Sequence, residues 1–441
     1  MNKIFTQLEI AYTRITGKIA FYPTLIAVLG FSFGFVMQYA EQQGVSKILL
    51  DKVPQLVISD ADTARTLLST FIAGIISLMV FSFSMVMILL NQAANNYSPR
   101  LLPNLIANKE HQLVLGTYLA TILYCIMVLL SIAPDDNKFS LPGFSVVLSI
   151  ALVVTCLALF VYFIHSISQS IQITYIVKSI FSTARKRLSY LINEKETYDQ
   201  PEQGPLDTAD WQEVNIDKTG YLQSIATESM QRIAEKQELQ IEALIPIGTF
   251  ILEGMPVLKV SKELDEEVKD NLLTCLNLSE SEMVSENYVL AFKQLTEIAL
   301  KAMSPGINDP GTAITCLDYL TELFALRLLK RDSNVITNED QKVLIQLRTI
   351  RFDELIYHVY AALRQYCKHD VIMMKKLLLS LNYLCHSRRE NEKYQQCLVK
   401  EARLALEDIR AEIKNSQDLK DLEAIASRIP GVNSKNPVGF Q

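Results

Sequence analysis

The sequence predicts an α-helical integral membrane protein with four transmembrane helices and a C-terminal soluble α+β domain, mostly helical with a small β-rich module. Two observations lead to this fold class. Four long apolar stretches without an Asp, Glu, Lys or Arg lie within the first 180 residues. A mostly polar segment of about 260 residues follows them and is long enough to form a domain of its own. Residues 1–180 are therefore predicted to form a membrane domain.

Each apolar stretch is long enough to cross a bilayer. A hydrocarbon core about 30 Å thick needs roughly 20 apolar residues at a rise of 1.5 Å per residue. Backbone groups cannot stay unpaired in lipid, so each stretch is predicted to be a helix. The predicted spans are residues 22–40, 65–93, 112–132 and 144–168.

Basic residues beside the spans indicate an orientation. Lys3, Arg14 and Lys18 precede the first span, and a second basic group follows the fourth span: Lys178, Arg185, Lys186 and Arg187. Because Lys and Arg are enriched in cytoplasmic flanks, both termini are predicted to be cytoplasmic. The lipid bilayer is the first expected partner.

Composition excludes several classes of function. The net charge is −6, so no broad basic face is expected and nucleic acid is not an expected partner. The seven cysteines include no CxxC pair, and the five histidines show no HxxxH spacing, so neither a metal nor another cofactor is expected. No GxSxG or Walker sequence is present, which leaves an enzyme as the least favoured class.

The second span carries small and polar residues at every seventh position. These candidate pore-lining residues are Thr70, Ser77, Ser84 and Asn91, with Asn95 broadening the stripe. A spacing of seven keeps side chains on one helix face, with a drift of about 20° per repeat. Two interpretations stay open: close packing between helices, which is the commoner cause, or a polar path lined by several copies of the chain. Since the apolar stretches carry no formal charge, a charge-coupled transporter is disfavoured.

The predicted cytoplasmic end of the membrane domain carries a second set of candidates. Ser98, Pro99 and Arg100 follow the stripe, where they are expected either at the mouth of the path or at a simple restart of the helix. His165 lies near the end of the fourth span and is expected to form interfacial hydrogen bonds, with proton sensing as the alternative. Helical spacing of apolar residues predicts that the fourth span continues as one helix to about Leu191.

The remaining chain is predicted in four parts. They are a helix extension and linker at 181–219, a small β-rich module at 220–260, a helical cytoplasmic domain at 261–428 and a flexible tail at 429–441. The predicted strands are 220–225, 239–244, 249–252 and 257–260. Long helices are expected at 283–303, 310–330, 338–367, 370–387 and 391–415.

A distinctive turn joins two of those helices. Pro305 and Gly306 end the first helix, while Asp309 is expected to cap the next helix, with Pro310 at its first position. Ser304, Gly306, Asn308, Asp309 and Thr312 are the candidate ligand or subunit contacts. A structural turn is the simpler interpretation, and an anionic ligand at the exposed amides is the alternative.

Several segments resemble a known family. They are Phe81–Ser84, Tyr97–Leu102, Phe163–His165, Gly220–Gln223 and Ala302–Ala313. The chain is similar in these segments to the bacterial predicted membrane protein family named domain of unknown function 2254. The resemblance implies a four-span protein of the bacterial inner membrane, and it implies no established activity.

Two functional hypotheses follow. In the first, the chain forms a homo-oligomeric channel-like protein in which the second span lines a path for ions and the soluble domain assembles and regulates it. In the second, the spans only anchor a scaffold or sensor, whose soluble domain binds a partner or a small ligand near residues 304–312. The regularity of the polar stripe favours the first.

Overall fold

A computed structural model describes residues 20–43, 60–96, 109–132, 142–170, 172–193, 206–279, 284, 286–332, 335–338 and 342–432. The chain forms two compact units, Met1–Gln172 and Ile173–Gln441. The boundary lies eight residues before the predicted limit at residue 180.

The first unit consists of four long helices. They are α1 (Phe21–Gln42), α2 (Ala61–Asn96), α3 (Lys109–Ser131) and α4 (Gly143–Ser170). All four are long and apolar enough to cross a membrane, which confirms the four predicted spans. Their outward faces are rich in exposed apolar side chains, as expected of helices that meet lipid rather than water.

Helix α3 lies at the centre of this unit and contacts the other three helices. Its contact with α1 depends on glycines. A Cβ atom at Gly30 of α1 would lie only 2.5 Å from the Cβ atom of Ala120, and one at Gly34 would lie 2.9 Å from that of Met127. Small residues four positions apart let two membrane helices approach closely. The two glycines of the sequence GFSFG therefore allow the close α1–α3 contact.

Carboxylate side chains form hydrogen bonds with groups at the first turns of two of these helices. The amide and hydroxyl groups of Ser145, in the first turn of α4, both donate to Glu41 Oε1 at 2.8 Å, at the far end of α1. Asp60 caps α2 by accepting from the amide of Thr63 at 2.8 Å. Helix ends leave unpaired amides, and these carboxylates satisfy some of them.

The second unit begins with α5 (Ile173–Asn193). The continuous helix expected from the fourth span to Leu191 is wrong, because α4 ends at Ser170, Gln172 is not helical and α5 begins at Ile173. Helix α5 packs against two helices of its own unit, α8 (Tyr288–Ala302) and α9 (Pro310–Arg327). Its apolar face is buried in that core, and helical spacing alone did not reveal the break.

In the described residues of this unit, eight short strands form two sheets. Their ranges are β1 (Gln212–Asn215), β2 (Gly220–Ile225), β3 (Ile241–Ala243), β4 (Phe250–Ile251), β5 (Pro256–Val260), β6 (Leu276–Ser279), β7 (Val335–Thr337) and β8 (Val343–Leu347). The five-stranded sheet has the order β1-β5-β3-β8-β7, and the three-stranded sheet has the order β4-β2-β6. Neighbouring strands are antiparallel except β3 and β8, which are parallel.

The β structure is not confined to residues 220–260 as expected. Strand β1 lies in the predicted linker, and β6, β7 and β8 lie in the region predicted to be helical. The predicted helix 338–367 is wrong over its first part, where β8 precedes α10 (Phe352–Cys367). A short apolar run such as Val343–Leu347 fits a buried strand or a buried helix equally well, and its pairing partner β3 lies about 100 residues earlier.

The helical part of the second unit also contains α6 (Thr227–Gln237), α7 (Glu266–Thr274), α11 (Val371–His386), α12 (Lys393–Glu412) and α13 (Ser416–Ala426). Its core is aromatic around Phe324 of α9, whose ring lies 4.6 Å from that of Phe292 and 5.7 Å from that of Tyr360. The soluble α+β fold predicted from the sequence is thus confirmed, with more strands than expected.

Candidate functional site

The polar stripe of α2 lies on the side of the helix that the other described helices of the first unit do not cover. Thr70, Ser77, Ser84 and Asn91 are all exposed. The residues that α2 buries within the unit are Ala64, Leu68, Ile75 and Ser82. At about 100° per residue, Ile75 and Ser84 point in opposite directions around the helix. The stripe is therefore available to lipid, water or a second copy.

The hydroxyl groups of the stripe bond to their own helix. Thr70 Oγ1 donates to the carbonyl of Thr66 at 2.8 Å, Ser77 Oγ to that of Ala73 at 3.0 Å and Ser84 Oγ to that of Val80 at 2.9 Å. Each hydroxyl proton is used in this way, while the oxygen lone pairs stay available to an outside donor or cation. Asn95 lies in the last turn of α2.

The predicted mouth is described only in part. Ser98, Pro99 and Arg100 lie outside the described residues. His165 is exposed on α4, and its Nε2 atom lies 3.0 Å from the side-chain nitrogen of Gln169. A second histidine, His111 of α3, is buried and lies 3.2 Å from Ser166 Oγ. The histidine with a hydrogen bond to another membrane helix is therefore His111, which the sequence analysis did not single out.

The turn before α9 has the predicted backbone chemistry. Asp309 caps α9, with Oδ1 accepting from the amide of Thr312 at 3.1 Å and Oδ2 from its hydroxyl at 2.6 Å, and Pro310 opens the helix. These hydrogen bonds lower the pKa of the Asp309 carboxyl group. Asn308 has a φ of +49°, a left-handed conformation that Asn tolerates better than most residues.

The candidate contact residues of this turn differ in exposure. Gly306, Asn308 and Asp309 are exposed, Ser304 is half-buried and Thr312 is buried. The Asp309 carboxylate already occupies the amide end of α9, where an anion would otherwise bind. What the geometry explains is a capped turn with an exposed tip.

A different part of the second unit has the shape of a binding site. A cavity of about 400 Å³ is bounded by α5, the start of α6, the start of α8, the segment after α9 and the end of β8. Five cationic side chains line it: Arg187, Arg327, Lys330, Arg331 and Arg348. Two acidic side chains, Glu228 and Glu286, also line it. None of the five described turn residues, Ser304, Gly306, Asn308, Asp309 or Thr312, is among its lining residues.

Arg327 anchors the wall of this cavity. Its side chain is 1% exposed, and its guanidinium group donates to the carbonyl of Lys330 at 2.8 Å and to the carboxylate of Asp332. The same group lies 5.9 Å from the centre of the Phe352 ring. The buried Nε atom of Arg327 has no hydrogen-bond partner among the described residues.

The other cations are less constrained. Arg187 of α5 lies with its guanidinium carbon 5.5 Å from the Tyr190 ring, and its buried Nε atom has no hydrogen-bond partner in the described chain. Arg331 pairs with Glu390 at 3.6 Å. Arg348 is held by its backbone amide, which donates to the carbonyl of Ala243 at 3.1 Å, and its side chain is exposed.

Two helices begin at the cavity. Helix α8 is capped by Asn287, whose Oδ1 atom accepts from the amide of Val289 at 3.1 Å and whose side-chain nitrogen donates to the carbonyl of Ile247 at 3.4 Å. Helix α6 begins after Ala226, which has no polar side chain to cap it. The amide ends of helices carry partial positive charge, so both add to the positive character of the cavity.

This cavity could not be predicted from local sequence patterns. Its cations are spread from Arg187 to Arg348 and come together only through the fold. The one local signal was Arg327, a charged residue in a helix whose other faces are largely apolar. Across the described residues, no group of three or more His, Cys, Asp and Glu side chains is arranged to hold a metal ion.

Comparison with known proteins places these features in a family. Residues 16–383 match the family described as "Predicted membrane protein (DUF2254)". The chain belongs to this family. The match covers all four membrane helices, the turn before α9 and every residue that lines the cavity. With the four apolar helices, it establishes the protein as a membrane protein and confirms the resemblance seen in the sequence.

Mycobacterial proteins are among the relatives. An uncharacterized protein of Mycobacterium bovis and two of Mycobacterium tuberculosis are each 24% identical to the chain. Each alignment covers 83% of this chain and 72% of the relative. No solved structure gives a significant match.

Proposed function

We propose that the protein is a homo-oligomeric, channel-like protein of the bacterial inner membrane, with α2 lining a polar path and the second unit acting in assembly and regulation. The observation that carries the proposal is the position of the polar stripe on α2. Ser77 and Ser84 lie on the face of α2 opposite the buried residues that contact the rest of the unit. In a single chain this row of oxygens would face lipid.

Association of several copies would remove the polar stripe from lipid and place it between α2 helices. Small residues such as Gly74 let helices approach, and a Cβ atom there would meet no heavy atom of the described chain within 4 Å. Hydroxyl oxygens at Thr70, Ser77 and Ser84, together with the Asn91 amide, would line the space between the copies. A path without formal charges is expected to select weakly among ions.

The proposal includes an orientation. Basic residues precede the first span and follow the fourth span, a distribution that favours a cytoplasmic location for both termini. The second unit would then be cytoplasmic. The five cysteines of the second unit would be reduced in that compartment. All seven cysteines of the chain are free, which is consistent with this expectation.

Cross-linking tests the association. Ser77→Cys introduces a thiol in the stripe, and Phe83→Cys introduces one on another exposed face of the same helix, about 120° away. A thiol-reactive cross-linker applied to full-length protein in membranes should join Ser77→Cys chains into dimers in a yield well above that of the unmodified protein, whose seven native thiols set the background, while Phe83→Cys chains should stay at that background. Equal yields for the two variants, or none, would remove the basis for an interface along the stripe.

Conductance tests the path. Purified full-length protein in a planar bilayer should give discrete currents, and Ser84→Trp should block or reduce them by filling the path. Phe83→Trp is the matched control, because it places the same ring on a face away from the stripe. Currents that respond equally to both substitutions, or to neither, would contradict a path lined by α2.

A membrane-anchored scaffold or sensor is the second candidate, and the cavity of the second unit favours it. An anchor needs no current, while a sensor needs a place for a ligand, which the basic cavity provides. Stripe-dependent cross-linking without current in any condition would support this alternative over the channel.

A further inference from the structure

The cavity of the second unit carries the chemistry of an anion site, and we propose that it binds a small phosphate-bearing molecule. This inference goes beyond the proposed membrane function and does not depend on it, because every lining residue belongs to the second unit. It rests on four features: unpaired positive charge, two helix ends, apolar walls and volume.

Positive charge exceeds negative charge in the cavity. Arg327 and Arg331 are paired with Asp332 and Glu390 respectively. Three further cations, Arg187, Lys330 and Arg348, line the same space and form no ion pair with any described carboxylate. Clustered like charges inside a partly enclosed space repel each other, and a bound anion relieves that repulsion.

The acidic lining residues do not cancel this excess. Glu228 lies 3.9 Å from Arg232, a cation that does not line the cavity. Glu286 adds one negative charge, and the five lining cations still outnumber the two lining carboxylates together with the partners Asp332 and Glu390. Burial is the main cause that lowers the pKa of the Lys330 amine to about 8; the nearby Arg327 guanidinium adds to the effect, and Asp332 opposes it.

Backbone groups favour the same kind of ligand. The first residues of α6 and α8 line the cavity, so the amide ends of two helices adjoin it. Helix starts bind phosphate through exposed N–H groups and the helix dipole. At α6 the preceding residue, Ala226, has no polar side chain to occupy those groups. This differs from α9, where the carboxylate of Asp309 already fills that position.

The remaining walls select an ester over a bare ion. Tyr190, Tyr288, Ile247 and Ile350 line the cavity beside the cations. The volume of about 400 Å³ falls in the range of roughly 300–1,000 Å³ that is typical of sites for small organic ligands. Arginine presents a planar fork that matches phosphate oxygens, and tyrosine rings suit the organic part of the ligand.

Two sources can supply this phosphate ester, a soluble metabolite or the headgroup of an anionic lipid. Full-length protein is placed in nanodiscs of phosphatidylcholine, and binding of inorganic phosphate, glycerol 3-phosphate and AMP is measured by calorimetry. The melting temperature is measured in parallel in nanodiscs that contain phosphatidylglycerol. The variants are Arg187→Gln and Arg348→Gln, with Arg388→Gln as matched control, since Arg388 is exposed and lies outside the cavity.

A soluble ligand is supported by saturable binding of glycerol 3-phosphate or AMP that weakens about tenfold or more in both cavity variants, the loss expected for one charge-assisted hydrogen bond. Arg388→Gln should bind like the unmodified protein. A lipid headgroup is supported if phosphatidylglycerol raises the melting temperature and the rise disappears in the same two variants. The proposal is overturned if neither effect occurs, or if Arg388→Gln changes binding as much as Arg348→Gln.

Discussion

Ser77 in the second membrane helix and Ser380 in the soluble unit are both serines on helices, yet their hydroxyl groups are satisfied in different ways. Ser77 is exposed and donates to the carbonyl of Ala73, four residues earlier. Ser380 is buried, and its oxygen lies 2.6 Å from the hydroxyl oxygens of both Tyr360 and Thr321, which come from two other helices. In the membrane helix, the hydroxyl group forms its hydrogen bond within its own helix. In the core of the second unit, the hydroxyl group forms hydrogen bonds with residues that are distant in sequence.

The difference extends to charged groups. Glu401 of α12 is buried and lies 3.5 Å from Arg364 of α10, which also pairs with Asp408. In α2 the described charged residues, Asp62 and Arg65, lie in the first two turns. They form an ion pair in which the Asp62 carboxylate is exposed. The soluble unit thus depends on non-local charge pairs, while the apolar length of α2 carries no formal charge.

The largest expected effect concerns Glu401. Burial raises the pKa of its carboxyl group from 4.5 to about 7, although Arg364 and Lys400 oppose the rise. Between these pH values the folded state keeps a proton that the unfolded state has lost, so stability falls as pH rises through the window, by about 3 kcal/mol in total. Glu401→Gln should remove this part of the pH dependence.

Unfolding of full-length protein in detergent, followed by fluorescence of the single tryptophan, Trp211, measures the effect on the second unit. The stability difference between Glu401→Gln and the unmodified protein should change steadily from pH 5 to about pH 7 and level off above it. The exposed residue Glu407 provides a matched control as Glu407→Gln. A flat difference for Glu401→Gln would mean that Arg364 keeps the carboxylate ionised throughout.

The next largest effect is a difference in stability between alanine substitutions at Gly30 of α1 and Gly74 of α2. Gly30→Ala and Gly74→Ala gain the same helix propensity, but only the first new methyl group would collide with Ala120. Overpacking of this kind costs about 1–3 kcal/mol. Denaturation by SDS titration, followed by circular dichroism, should show a less stable Gly30→Ala protein and an unchanged or slightly stabilised Gly74→Ala protein. Equal stabilities would show that α1 and α3 can separate freely.

Features that depend on residues close together in the sequence could be predicted, whereas features that depend on residues far apart in the sequence could not. The four spans depend on length and hydropathy, and the Asp309 cap depends on neighbours within three residues, so both were predicted correctly. Strand β8 depends on pairing with β3, and the cavity depends on bringing Arg187 to Arg348, so neither was predicted. The stripe on α2 was visible in the sequence, but only the structure shows that α2 turns it away from α3 and α4.

The smallest effect returns to the two serines. Ser380→Ala leaves the buried Tyr360 hydroxyl without this partner, at a cost of about 1–2 kcal/mol, because an unsatisfied buried group loses its hydration without compensation. Ser77→Ala removes a hydroxyl whose only described hydrogen bond is to its own helix, so the stability of the single chain should change by less than about 0.5 kcal/mol. Chemical unfolding in detergent, under conditions that keep the chain monomeric, compares the two. If Ser77→Ala destabilises the monomer as much as Ser380→Ala does, the α2 hydroxyls support the fold of the single chain, and the reason to assign the stripe to contacts between copies is lost.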